Sequence, residues 1–159
     1  WYNRAGVEHV MGYCSKDEYE RFLLETPYFE RALVDNGILL LKYWLAVDQE
    51  EQEARFAERA TDPLKRWKLS PIDLVARDQY RAYGRARDHM FEVTHRPYAP
   101  WVVVDYNDQR RGRLTLIRHL LDHVPDYRLP DEPLELPPLK EKPAKERFRG
   151  PVKPIKSPF

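Results

Sequence analysis

At 159 residues, with 42% hydrophobic and 13% aromatic content, the chain is long enough for one domain with a real core. Charged residues make up 33%, but the net charge is only +1, so global electrostatics predict no nucleic-acid or membrane partner, and any anion site must be a local cluster. The single cysteine, Cys14, excludes an internal disulfide framework, fits a reducing compartment and reads as a small packed apolar residue; no signal peptide is expected, and no apolar run of about 18 residues is present.

Residues 1–14 read as a loop leading into a short helical stretch. Ser15, with Glu18 after it, makes a capping box that opens the next helix. Tyr19, Phe22, Leu23, Phe29 and Leu33 form its apolar stripe. Pro27 should kink or split this helix, and Asn36-Gly37 should end it, because Gly accepts the left-handed backbone of a helix C-terminus. Ile38 to Val47 is an almost continuous apolar run and reads as a strand buried on both faces. Asp48 and Glu51 repeat the capping-box pattern and open a helix through Arg59, which Ala60-Thr61-Asp62-Pro63 breaks. A short basic segment comes next, and then a long helix from about Pro71 to Thr94, with Ile72, Ala76, Tyr83, Ala86 and Met90 at helical spacing. Trp101 to Val104 reads as a short second strand, and Asp108 as the cap of a last helix carrying Leu114, Ile117, Leu121 and Val124.

Strand, helices, strand, helix is the rhythm of a parallel α/β sheet covered by helices. Two strands make a poor sheet alone, so the chain is expected to be a piece of a larger one. From Pro125 onward the character changes to a proline-punctuated, mostly basic stretch, read as an extended tail over 128–159 behind a domain of 1–127. Leu134, Leu136, Leu139 and Phe148 are its candidate docking residues, and Pro151-Val152-Lys153-Pro154 satisfies a PxxP pattern that an SH3-like partner reads. No internal repeat is present.

The candidate chemistry is cationic. Lys65, Arg66 and Lys68 lie just past the helix break, interleaved with Trp67, and read either as a solvated charge run or as cations for phosphate oxygens; Lys65 is expected to be the more exposed. Arg55 and Arg59 share a helix face, a repulsive spacing that a polyanion would relieve, unless acids such as Glu51 and Glu58 pair them. Arg4 and Asn3 either contact phosphate or anchor the first loop. Asp105, Asn107, Arg110 and Arg111 lie where a strand ends and a helix begins, the place where parallel α/β sheets bind ligands, with capping by Asp108 as the plain alternative. His119 and His123 have a spacing compatible with metal, but no further ligand pattern completes a site. Trp44 and Trp67 read as packing residues.

Three stretches carry a specific resemblance. Trp1-Tyr2-Asn3-Arg4-Ala5-Gly6-Val7-Glu8, Pro63-Leu64-Lys65-Arg66-Trp67-Lys68-Leu69-Ser70 and Trp101-Val102-Val103-Val104-Asp105, in that order, resemble the family-2 polyphosphate kinases over roughly residues 1 to 127. The resemblance implies a P-loop kinase-like (thymidylate-kinase-like) fold with a lid at about residues 60–72. It implies phosphate transfer between inorganic polyphosphate and an ADP- or GDP-type nucleotide, with Mg²⁺, in a cytoplasmic homo-oligomer. It makes Arg66, Lys68 and Lys65 catalytic candidates, and Arg4, Asn3, Arg55, Arg59, Asp105, Asn107 and Arg110 substrate-binding candidates; in related P-loop kinases the loop after the second strand wraps the nucleotide base. The family's glycine-rich phosphate loop and its acidic metal ligands have no counterpart here. The chain is therefore expected to be a fragment without activity of its own; the rival reading is a non-catalytic piece that binds polyanions or another protein.

Overall fold

The structure, a computed structural model, describes residues 1–127, 135–148, 150–151 and 153–157. They fall into two units, Trp1–Pro125 and Asp126–Phe159. The first holds a 3-10 turn at Tyr2–Arg4, then α1 (Val7–Val10), α2 (Lys16–Asp35), β1 (Lys42–Ala46), α3 (Gln49–Thr61) and a 3-10 turn at Arg66–Lys68. Next come α4 (Pro71–Asp78), α5 (Tyr80–Thr94), β2 (Trp101–Asp105) and α6 (Gln109–His123). This is an α/β fold with a small sheet. β1 and β2 pair in parallel, from Lys42 opposite Trp101 to Ala46 opposite Asp105, and the span from α3 to α5 makes the crossover such a pair requires.

Local signals decide the helix ends. Ser15 and Glu18 form the expected capping box on α2, and Gly37, at φ +84°, takes the left-handed backbone that stops it. Ser70 and Asp73 form a second capping box on α4, with Pro71 in the first turn. Asp108 caps α6 by accepting from the backbone N–H groups of Arg110 and Arg111 at 2.9 and 3.1 Å.

Four expectations are corrected. Pro27 does not split α2, which runs unbroken through it. Pro27 is buried on the core face, its carbonyl accepts from the Tyr98 hydroxyl at 2.8 Å, and the neighbouring Thr26 hydroxyl donates to the Phe22 carbonyl at 2.6 Å. The strand is shorter than Ile38–Val47, because only Lys42–Ala46 finds ladder partners on β2, and Ile38, Leu39 and Leu45 stand exposed. Asp48 and Glu51 do not close a capping box: the Asp48 carboxylate takes the Asn107 amide and Glu51 takes Arg55. The long helix breaks at Gln79 because its halves are held by different anchors. Arg77 forks onto Glu53 of α3, while the Tyr80 hydroxyl donates to the Val47 carbonyl at 2.9 Å.

The core forms where α2, α5 and the first turn meet. Ala5, Tyr19, Leu23 and Met90 are buried, with Tyr2, Phe22, Trp44, Phe91 and Trp101 packed around them. Inside this aromatic shell lies an ion pair. Lys42 Nζ donates to Glu30 Oε2 at 2.7 Å and to the Thr94 carbonyl at 2.8 Å, while the Tyr2 hydroxyl donates to Glu30 Oε1 at 2.7 Å. Glu30 is 0% and Lys42 5% exposed, so every partner counts. Burial holds the Lys42 ammonium below its usual pKa despite Glu30, and burial above all pushes the Tyr2 phenol well above its own. The network pins the first loop to α2 and β1.

Much apolar surface stays open. Leu114, Ile117 and Leu121 on α6, and Ile72, Leu74 and Val75 on α4, are exposed. In the second unit Leu136, Leu139 and Phe148 are exposed, and its described residues contain no helix or strand. Leu134, Val152 of the PxxP stretch, and Pro130, Pro133, Arg149 and Pro158 of the tail lie outside the described residues. Among the described residues no helix is long and apolar enough to cross a membrane.

Candidate functional site

Both strands end at the same level, and the loops that leave them build the site. The Tyr106 N–H donates to the Ala46 carbonyl at 2.8 Å, continuing the ladder one step past β2. Asn107 then locks the two strand exits together. Its Oδ1 accepts from the Asp48 N–H at 2.8 Å, and its Nδ2 donates to Asp48 Oδ2 at 2.9 Å. The Asp105 carboxylate accepts the Asn107 N–H at 3.0 Å, which shapes the turn into α6. Backbone N–H donors at the α6 N-terminus hold the Asp108 carboxyl below the usual carboxylate range. Gly112 lets α6 approach this corner, since a Cβ there would lie 2.5 Å from Tyr106 Cδ2 and 2.8 Å from the Asp105 carbonyl oxygen.

Arg55 braces the same corner from α3. Its Nη2 donates to the carbonyls of Tyr106 and Asn107 at 2.6 and 3.0 Å, and its Nε to Glu51 at 2.8 Å. Arg55, Glu58, Asn107, Arg110 and Arg113 line one open cleft of about 460 Å³. Arg110 is exposed and has no carboxylate partner among the described residues. Arg59, half-buried, lays its guanidinium 5.6 Å from the Phe56 ring centre.

The basic segment joins α3 to α4. Asp62 ends α3, and its backbone carbonyl accepts from the N–H groups of Lys65 and Arg66 at 3.0 and 2.9 Å, which winds the turn. Lys65 is half-buried and bonded to Glu58, with Asp62 3.5 Å away, and the Glu58 bond raises its pKa. The expectation that Lys65 is the more exposed cation is thus reversed: Arg66 and Lys68 are the exposed ones. Neither has a carboxylate partner among the described residues; Lys68 Nζ lies 5.3 Å from the Trp67 ring centre. Trp67 is 77% exposed and not a packing residue, its indole N–H donating to the Leu64 carbonyl at 2.9 Å. The Arg77–Glu53 fork, which holds the Glu53 carboxyl below its usual pKa, ties the two helices together behind the segment.

The structure therefore brings Arg55, Asn107 and Arg110 into one cleft, with Asp105 beside it, and links that cleft through Glu58 to Lys65 and its exposed neighbours. Asn3 and Arg4 lie elsewhere. Arg4 donates to Glu8 at 2.9 Å, while Asn3 lines a second cleft of about 320 Å³ with Tyr43, Trp44, Tyr83 and Arg87. His119 and His123 stack at 4.0 Å, with Tyr43 and a backbone carbonyl as their partners. Among the described residues no three His, Cys, Asp or Glu side chains stand together as metal ligands.

One feature escaped the sequence. At the carboxyl end of β1 lies a cavity of about 390 Å³ walled by Trp44, Tyr80, Tyr83, Asp48, Gln52 and Arg87. Gln52 Oε1 is buried and has no hydrogen-bond partner among the described residues. A Gln in a run of Glu and Arg gives no sequence signal for this.

A two-strand parallel α/β unit with a cationic connector beside its strand exits is the class of structure defined so far. The chain belongs to the polyphosphate kinase 2 family, whose sequence model matches residues 1–132. It is 48% identical over 147 residues to NDP-polyphosphate phosphotransferase 1 of Ruegeria pomeroyi, covering 92% of this chain and 48% of that protein. It is 50% identical over 137 residues to the ADP-polyphosphate phosphotransferase of Pseudomonas aeruginosa, covering 86% and 45%. The crystal structure of polyphosphate kinase 2 from Arthrobacter aurescens superposes with a TM-score of 0.72 at 30% identity, over 84% of this chain and 48% of that one. The chain spans about half the length of these relatives.

Proposed function

We propose that the protein containing this chain transfers phosphate between inorganic polyphosphate and an ADP- or GDP-type nucleoside diphosphate. The observation that carries the reading is the pair of exposed cations, Arg66 and Lys68, without carboxylate partners among the described residues, on a short turn hung between two helices, in a chain of this family. Phosphoryl transfer demands little covalent chemistry from the protein; it needs positioning and cations on oxygens where charge accumulates. Arg66 and Lys68 supply those cations, and Lys65, tied to Glu58, anchors the turn as a lid. Arg110 and Arg59 extend the cationic track for the polyphosphate chain, and Arg55, Asn107 and Asp105 hold its floor. Asn3 and Arg4 act from the first loop. Mg²⁺ bound to the substrate phosphates would neutralise part of their charge. The complete fold is P-loop kinase-like, in a cytoplasmic homo-oligomer.

The test is phosphotransfer by the complete protein, followed as ATP or GTP formed from polyphosphate and ADP or GDP. Turnover is expected from the complete protein and none from residues 1–159 alone. A complete protein that binds polyphosphate but never transfers phosphate favours the rival reading of a non-catalytic polyanion-binding piece.

A further inference from the structure

Arg55 lines the cleft at the strand exits, but its guanidinium is spent on the protein. Nε donates to Glu51 at 2.8 Å, Nη2 donates to the Tyr106 and Asn107 carbonyls at 2.6 and 3.0 Å, and the side chain is 17% exposed. Glu51 belongs to α3 itself, whereas both carbonyls belong to the loop between β2 and α6. Asn107 and Asp48 fasten that loop on the β1 side, and Arg55 fastens it on the α3 side. The loop leads directly into the first turn of α6, where Asp108 accepts the backbone N–H of Arg110 at 2.9 Å and the Arg110 side chain is exposed. The other end of α3 carries the basic turn. Glu58, three residues beyond Arg55 and lining the same cleft, bonds Lys65. From Arg55 to the end of α3 at Thr61 is roughly 9 Å of helix axis at about 1.5 Å per residue. One helix therefore grips the Arg110 corner near its start and the Arg66–Lys68 turn at its end.

From these contacts we infer that Arg55 is a positioning residue, which binds no phosphate itself and acts by holding the β2–α6 loop, and with it Arg110, at a set place relative to the basic turn. The inference rests on the phosphotransfer reading and divides its cations into those that meet the substrate and one that places them. The chemistry of the side chain fits this role. A guanidinium presents its N–H donors in a rigid planar fork, so one group serves a carboxylate and two successive carbonyls at once; an ammonium is a point charge and cannot copy that geometry. Turning Arg55 onto a phosphate would strip the Tyr106 and Asn107 carbonyls of their charged donor and release the loop from α3, so binding the substrate and bracing the corner exclude each other. Phosphoryl transfer depends on where its cations stand, and a strut that fixes Arg110 against α3 serves the reaction without touching it.

Arg55→Lys, which keeps the charge and loses the fork, separates placement from charge. In the complete protein, transfer from polyphosphate to ADP or GDP is measured for the wild type, Arg55→Lys, Arg55→Gln, Arg110→Ala and the Arg55→Lys/Arg110→Ala double variant. Backbone hydrogen exchange at Tyr106 and Asn107 is followed beside it. Arg55→Lys should lower kcat/KM about 10-fold or more, and Arg55→Gln by a similar factor. In the Arg110→Ala background Arg55→Lys should cost little further, because a residue that acts through Arg110 has nothing left to place. The Tyr106 and Asn107 amides should exchange faster in both Arg55 variants. Wild-type kinetics in Arg55→Lys overturn the inference, since charge alone then suffices. Losses that multiply in the double variant overturn it as well, because Arg55 then acts independently of Arg110. If both Arg55 variants fail to fold, Glu51→Gln, which loosens the Nε side alone, takes their place, and unchanged exchange of the two amides overturns the inference. Absence of transfer by the wild type strikes the functional reading; it is distinct from failure of the strut, in which the wild type turns over and the Arg55 variants match it.

Discussion

Lys42→Met should cost far more stability than its single missing charge suggests. It leaves the Glu30 carboxylate, 0% exposed, with the Tyr2 hydroxyl as its one donor among the described residues. Removing one partner of a buried ion pair costs about 3–5 kcal/mol, because the other charge stays uncompensated. Against a typical margin of about 5–15 kcal/mol, that brings the protein near the edge of folding. Glu30→Leu should cost less, because the Lys42 ammonium keeps the Thr94 carbonyl at 2.8 Å and the Trp101 ring at 5.1 Å. The double variant should be more stable than the sum of the singles predicts, with a coupling of at least about 2 kcal/mol. It will not return to wild type, since the Tyr2 hydroxyl and Thr94 carbonyl lose partners at about 1–3 kcal/mol each; adding Tyr2→Phe should recover part of that. Urea unfolding followed by tryptophan fluorescence reads all of these. With a slope of about 1–3 kcal/mol/M, a ~3 kcal/mol loss moves the midpoint by about 1–3 M. A Lys42→Met protein within about 1 kcal/mol of wild type, or an additive double variant, would refute the reasoning.

Burial raises the phenol pKa of Tyr2, Tyr19, Tyr43 and Tyr83 above the ordinary value of 10.0. The folded state keeps protons that the unfolded state releases, so their contribution is fully present below pH ~10 and is lost as pH rises past it; Lys42, lowered by burial, opposes them. Ultraviolet phenolate titration should show a late group of tyrosines ionising together with loss of circular dichroism, and simple titration of all ten tyrosines with structure intact would contradict this. Gly112→Ala should lower stability by about 1–3 kcal/mol through its clash with Tyr106 and the Asp105 carbonyl, read by denaturant midpoint; an unchanged midpoint would show that the corner yields freely. In the complete protein Arg66→Ala and Lys68→Ala should each lower kcat by roughly 10²-fold, and Lys65→Ala by less; wild-type kinetics in the first two would make the turn an ordinary surface segment.

The features legible in the sequence were local ones. Ser15 with Glu18, Gly37 and Asp108 each act within a few residues of themselves, and each takes the role its position announces. Asp48 with Glu51 carried the same announcement and did otherwise, because Asn107, distant in sequence, competes for the Asp48 carboxylate. The break at Gln79 has the same origin, in anchors to Glu53 and Val47 that no helical periodicity can reveal. Lys42 is the instructive case. It sits inside an apolar run, where the pattern says buried strand and the residue type says exposed. Such a conflict signals a hidden partner, and the fold supplies Glu30 from α2 and the Thr94 carbonyl from the end of α5. Gln52 presents the opposite case: nothing in its neighbourhood conflicts, and only the closed fold shows its oxygen without a donor. Where Lys42 is satisfied from every side, its role is to hold the first loop on the sheet. Gln52 Oε1 is satisfied from none among the described residues, in a chain that spans about half the length of its relatives, so its donor is of the kind that neither local sequence nor half a sheet can reveal.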